Sequence, residues 1–203
     1  MIKFVKGIAT LSALALALPA SLLTVKAATT APTPTTATSP SPISKTSSVA
    51  LQQTGSLSLD SAPDISFGTQ DLSVSKTTYT DSVFDDALHI TNPGFPSGWS
   101  LTVADTGFTD TTSKAPLKGA ALSLVAPSLT ADDSTNESDP PVTKTPVAVS
   151  SAASVVADAP AGTGIGAYTG DYAAGAASLY VPAGNIGGSY SSTLTWTLSD
   201  APA

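Results

Sequence analysis

Tyr190–Ser199 reads YSSTLTWTLS. Tyr190, Ser192, Leu194, Trp196 and Leu198 occupy every second position, and all but one are apolar or aromatic; Ser191, Thr193, Thr195, Thr197 and Ser199 between them are all hydroxylic. A strand turns successive side chains to opposite faces, so this alternation predicts a strand with one buried and one wet face. Gly98–Val103, GWSLTV, repeats it, with Trp99, Leu101 and Val103 on one face and Ser100 and Thr102 on the other. Both tryptophans of the chain thus occur as Trp-x-Leu in a two-faced strand. Such a ring either fills a core or, at the rim of a groove, stacks on the C–H face of a sugar. The pattern alone leaves both open.

Working outward, the same period of two recurs in SLSLD (Leu57, Leu59), DLSVS (Leu72, Val74), ALHIT (Leu88, Ile90), LSLV (Leu122, Leu124) and PVAVS (Val147, Val149). Clusters such as TNPGFPSG separate these runs, and no segment sustains a capped 3.6-residue period. The expected fold is all-β, an antiparallel β-sandwich with long polar and Gly-rich loops. The alanine-rich SSAASVVADA and GDYAAGAAS are candidates for a short helix. Pro127–Pro146, PSLTADDSTNESDPPVTKTP, is too polar for a strand and reads as a surface excursion or a functional loop. Ala159–Gly188 carries eight glycines around Tyr168, Tyr172 and Tyr180, a composition suited to irregular loops that present aromatics.

The N-terminus is of another kind. Lys3 and Lys6 precede an apolar run from Gly7 to Val25 that closes on Val25-Lys26-Ala27, so residues 1–27 read as a secretory signal peptide. Residues 28–50, in which Thr, Ser and Pro fill 16 of 23 positions, read as a disordered linker, and 51–203 as the folded domain. Without the leader, fifteen acidic residues face five lysines and no arginine, a formal charge of −10. That balance excludes nucleic acid and disfavours anionic membranes and phosphate-rich polymers. There is no cysteine, so stability rests on burial, and a lipid-modified cysteine anchor is excluded.

Motifs that promise catalysis fail on context. GTGIGA, Gly162–Ala167, matches a dinucleotide pattern, yet YTGDYAAG follows where a helix must begin. The single histidine, His89, lies between Leu88 and Ile90 and faces solvent by alternation; no serine has the setting of a nucleophile. Asp85-Asp86 and Asp132-Asp133 raise glycoside hydrolysis, and Asp132, Asp133, Asn136, Glu137 and Asp139 raise calcium, but both sets sit in solvated loop sequence without the required spacing. We expect no enzyme, no catalytic residues, no metal and no cofactor.

The proximal Trp-Ser-Leu at Trp99–Leu101, the distal Trp-Thr-Leu at Trp196–Leu198, the terminal LTWTLSDAP and the opening GSLSLDSAPDISFG together resemble the WxL domain family of Gram-positive cell surfaces, over about Leu51 to Ala203. The resemblance implies a secreted protein held non-covalently to peptidoglycan, with Trp99, Leu101, Trp196 and Leu198 contributing to attachment. It further implies other WxL proteins and a membrane-anchored surface protein as partners. The absence of an LPxTG-type sorting signal fits that expectation. The alternative is a protein-interaction module or adhesin subunit that docks other WxL proteins or host matrix proteins.

Overall fold

The computed structural model describes residues 41–201, and the chain divides into two units, Met1–Ser48 and Val49–Ala203. The expected signal peptide and residues 28–40 of the expected linker lie outside the described residues; residues 41–50 are exposed and carry no regular structure. The described part of the second unit is built from strands and turns, with no helix.

Three four-stranded sheets form the domain. The first is ordered β1 (Ser58–Ser61), β5 (Leu88–Asn92), β13 (Gly166–Gly170), β9 (Thr130–Ala131); the second β10 (Val142–Thr143), β12 (Ser154–Ala159), β6 (Trp99–Asp105), β16 (Leu194–Ser199). The third is ordered β11 (Val147–Val149), β8 (Ala121–Leu124), β14 (Ala177–Val181), β3 (Thr77–Tyr79). Two small ribbons complete it, β15 (Tyr190–Ser191) with β7 (Thr109–Asp110) and β2 (Ile65–Ser66) with β4 (Val83–Phe84). Every ladder is antiparallel. The all-β expectation therefore holds.

Period two in the sequence becomes alternating burial. Leu88, Ile90 and Asn92 of β5 are buried while His89 and Thr91 are partly exposed, and β14 alternates in the same way. Leu88 and Ile90 from the first sheet, Trp99, Leu101, Val103 and Val156 from the second, and Leu122, Leu124 and Val147 from the third meet in one hydrophobic core. At about 25 cal/mol per Å² of apolar surface removed from water, this shared burial is the main stabilising term in a chain without disulfides.

Four local expectations are corrected. DLSVS forms no strand: Ser73 Oγ accepts the amide of Ser75 at 3.1 Å, a bend that competes with a ladder, and Val74 is 95% exposed. The alanine-rich segments form no helix, because Ser154, Val155 and Ala157 pair β12 onto β6 and Gly175, at φ 83°, turns the chain between β13 and β14. Pro127–Pro146 contributes two short edge strands, β9 and β10, and its polar residues tie the intervening chain: Asn136 Nδ2 donates to the Ile165 carbonyl at 2.9 Å. Ala159–Gly188 holds two complete strands, and Tyr168 is in the core at 1% exposure rather than on a loop.

Candidate functional site

The two Trp-x-Leu strands are neighbours. β16 pairs with β6 so that Trp196 opposes Val103 and Leu198 opposes Leu101. Residues directly opposed across an antiparallel pair share a face, so both motifs project from one side of the same sheet.

Their surroundings differ. Trp99 and Leu101 are both 0% exposed, and the Trp99 indole Nε1 donates to the Gly164 carbonyl at 3.0 Å. Gly164 has φ 61°, and a Cβ there would stand 2.8 Å from Trp99 Nε1 and 2.6 Å from the Ala159 Cβ. Gly164 of GTGIGA thus seats a tryptophan, and the motif leads into a strand, not into a helix. Ahead of Trp99, the buried Asn92 shapes the turn: its Oδ1 accepts the amides of Gly94 and Phe95, and its Nδ2 donates to the Phe95 carbonyl. With no accessible surface, Trp99 and Leu101 build the frame of the core.

Trp196 and Leu198 are only partly buried. The Trp196 ring meets Tyr172 edge-on, centroids 6.5 Å apart, and Tyr172 stacks on Phe84 at 4.6 Å. Trp196 Nε1 and the Tyr172 hydroxyl are both enclosed without a hydrogen-bond partner among the described residues, and burial pushes the Tyr172 phenol well above its usual range. This cluster is held by dispersion and ring geometry.

β16 begins at Leu194, and there a groove of about 490 Å³ opens. It is lined by Leu122, Leu179 and Val181 of the third sheet, by residues of the 64–70 and 186–192 segments, and by Phe108 and Leu117. The single strand expected over Tyr190–Ser199 is interrupted here. Thr106 and Thr193 exchange two hydrogen bonds, Thr193 N to Thr106 Oγ1 at 2.9 Å and Thr106 N to the Thr193 carbonyl at 3.1 Å, and Tyr190 pairs instead with Asp110. Phe67, Tyr79, Phe108 and Tyr190 were missed by sequence reasoning as a group, since they come from separate segments.

On the first sheet His89 is half-exposed, with Nδ1 3.0 Å from Asp60 and Nε2 2.9 Å from Asp132. Asp60 is the extra residue where β1 slips register against β5, and the bulge aims its carboxylate at Thr91 Oγ1, 2.6 Å away. That hydrogen bond first, then those of Ser58 and His89, hold Asp60 below the usual carboxylate range; Thr169 and then His89 do the same for Asp132. Asp85 accepts the Asp64 amide from another segment and Asp86 the adjacent Ala87 amide, so both carboxylates of the Asp85-Asp86 pair hold backbone amides. Among the described residues no three His, Cys, Asp or Glu side chains come together as a metal site.

The chain was compared with known proteins. Residues 20–202 match the family model described as WxL domain surface cell wall-binding. No curated protein and no solved structure matches. Since the match spans nearly the whole sequence, both Trp-x-Leu strands included, the chain belongs to the WxL family of cell-wall-binding surface domains.

Proposed function

We propose that the chain is exported and attaches non-covalently to the peptidoglycan of the Gram-positive cell wall, as a binding protein without catalysis. The observation that carries this reading is the wall-binding family match over 20–202, on a chain whose first 27 residues have the make-up of a signal peptide. Trp99, Leu101, Trp196 and Leu198 contribute through the strand pair they hold together, the first two from inside the core. The formal charge of −10 outside the leader repels anionic teichoic polymers, so the neutral portions of peptidoglycan are the favoured ligand.

Sedimentation of the purified protein with peptidoglycan, before and after removal of teichoic acid, tests this. Retention on both forms, insensitive to salt, is expected. Failure to sediment with either overturns the reading, and retention only when another surface protein is supplied transfers the function to the interaction-module alternative.

A further inference from the structure

We infer that the groove at the start of β16 is the sugar-contacting site of this protein, taking a stretch of uncharged pyranose chain, and that the Trp-x-Leu residues frame it from outside. The inference rests on the wall-binding reading only for where such a glycan comes from. The groove's own chemistry selects the class of ligand.

The walls are aromatic and already fixed in place. Phe67, Tyr79, Phe108 and Tyr190 line the groove. The Tyr79 hydroxyl donates to the Asp71 carbonyl at 2.8 Å and the Tyr190 hydroxyl to the Ile186 carbonyl at 3.0 Å, so neither ring needs ordering when a ligand arrives. Gln70 Nε2 donates to the Phe67 carbonyl at 2.7 Å and steadies that wall. The opposite walls are clamped to each other: Asp110 holds the Ser113 amide and hydroxyl with one carboxylate oxygen and the Ser189 amide, at 3.1 Å, with the other. Asn185 adds a second clamp, accepting the Lys118 amide at 2.8 Å and donating to its carbonyl at 3.0 Å. A Cβ at Gly188 would stand 2.6 Å from Asp110 Oδ2, so a side chain there would displace the carboxylate that makes this clamp.

Charge and hydrogen-bonding capacity narrow the occupant. Among the described residues no lysine lines the groove and the one charged group lining it is the Asp64 carboxylate, so an anionic polymer gains nothing there and is repelled. The Asp64 carboxylate and the Ser191 and Ser192 hydroxyls carry no hydrogen bond to another described residue, which leaves acceptors and donors free at the rim for sugar hydroxyls. Flat apolar rings with hydroxyls and one carboxylate between them match a pyranose, which is apolar on its C–H faces and polar at its edge. The volume falls in the range of small-molecule sites.

The test uses the full mature chain and soluble β-1,4-linked N-acetylglucosamine oligomers, with binding followed by calorimetry and by NMR shifts. The intact protein is expected to bind, and Phe108→Ala to weaken binding about tenfold, the loss of one stacking ring. Ile186→Asp, at a position 66% exposed and free of core duties, guards against a folding artefact and is expected to weaken binding as well, while Val74→Ala outside the groove leaves it unchanged. No oligomer binding by the intact protein, full binding by both groove variants, or competition by an apolar peptide or teichoic acid in place of the oligomer each overturns the assignment. Oligomer binding without retention on peptidoglycan sinks the wall-attachment reading and leaves the groove standing.

Discussion

Replacing each tryptophan by phenylalanine separates the two halves of the motif. In Trp99→Phe the six-membered ring is kept, but the Gly164 carbonyl loses its donor inside a site with no solvent access. A buried polar group left unpaired costs about 1–3 kcal/mol. The missing part of the indole leaves a void worth roughly 1 kcal/mol at ~24 cal/mol per Å³. The expected loss is about 2–4 kcal/mol, which for a domain of this size is a fall in Tm of roughly 5–15 °C. In Trp196→Phe no protein hydrogen bond is lost, because Nε1 has no partner among the described residues, and the ring is partly exposed. Only part of an edge contact with Tyr172 goes, about 1 kcal/mol or less and roughly 2–4 °C. Thermal and urea unfolding by far-UV circular dichroism measures both, and each variant leaves a single tryptophan as fluorescent reporter. Equal losses, or a larger loss at Trp196, would refute the division into frame and rim.

Gly164→Ala meets both the Trp99 ring and a left-handed φ, and is expected to cost about 3 kcal/mol; Gly162→Ala, at φ 82° with nothing within 4 Å, costs only the backbone strain of about 1 kcal/mol. Equal urea midpoints for the two would remove the proposed tryptophan seat. Asp60 and Asp132 have folded-state pKa values below the ordinary 3.8, so their stabilisation is present above about pH 4 and is lost as pH falls through the folded values. Asp60→Asn should flatten the acid limb of a stability profile taken between about pH 5 and 2, and a variant that tracks the parent counts against the role of the bulged carboxylate. Asn92→Ala removes three hydrogen bonds from a fully buried side chain, with an expected loss of about 2–3 kcal/mol; a change within about 0.5 kcal/mol shows that the turn into Trp99 holds without it.

Much of the sheet structure was legible because alternation is a local signal. ALHIT, GWSLTV, LSLV, PVAVS and the stretch from Leu194 to Ser199 all become strands. DLSVS has the same alternation and fails because a serine bond within three residues bends the chain before any partner strand can claim it. The groove was not legible for a different reason. Phe67 and Phe108 sit beside glycine in DISFG and TGFTD, Tyr190 opens YSSTLTWTLS, and only tertiary folding brings the three to one cleft. An aromatic adjacent to glycine is a cue for Phe67 and Phe108 only, and Tyr168, set among glycines, is absorbed by the core.

The two Trp-x-Leu sequences are nearly the same and their fates are not, and the difference lies in the position of the strand within its sheet. β6 has ladder partners on both sides, β12 and β16, so its inward ring is surrounded by neighbours on the same sheet before any other sheet packs over it. β16 has β6 alone, and lies at the edge of its sheet close to β1, the edge of another. A ring on such an edge is covered from one side by its own sheet and from the other by whatever the seam supplies, here Tyr172 and Phe84. Period two fixes which face a residue takes, and it carries no information on whether the strand is central or marginal. That second fact comes from pairing between residues almost a hundred positions apart, and it decides that Trp99 is core and Trp196 is seam.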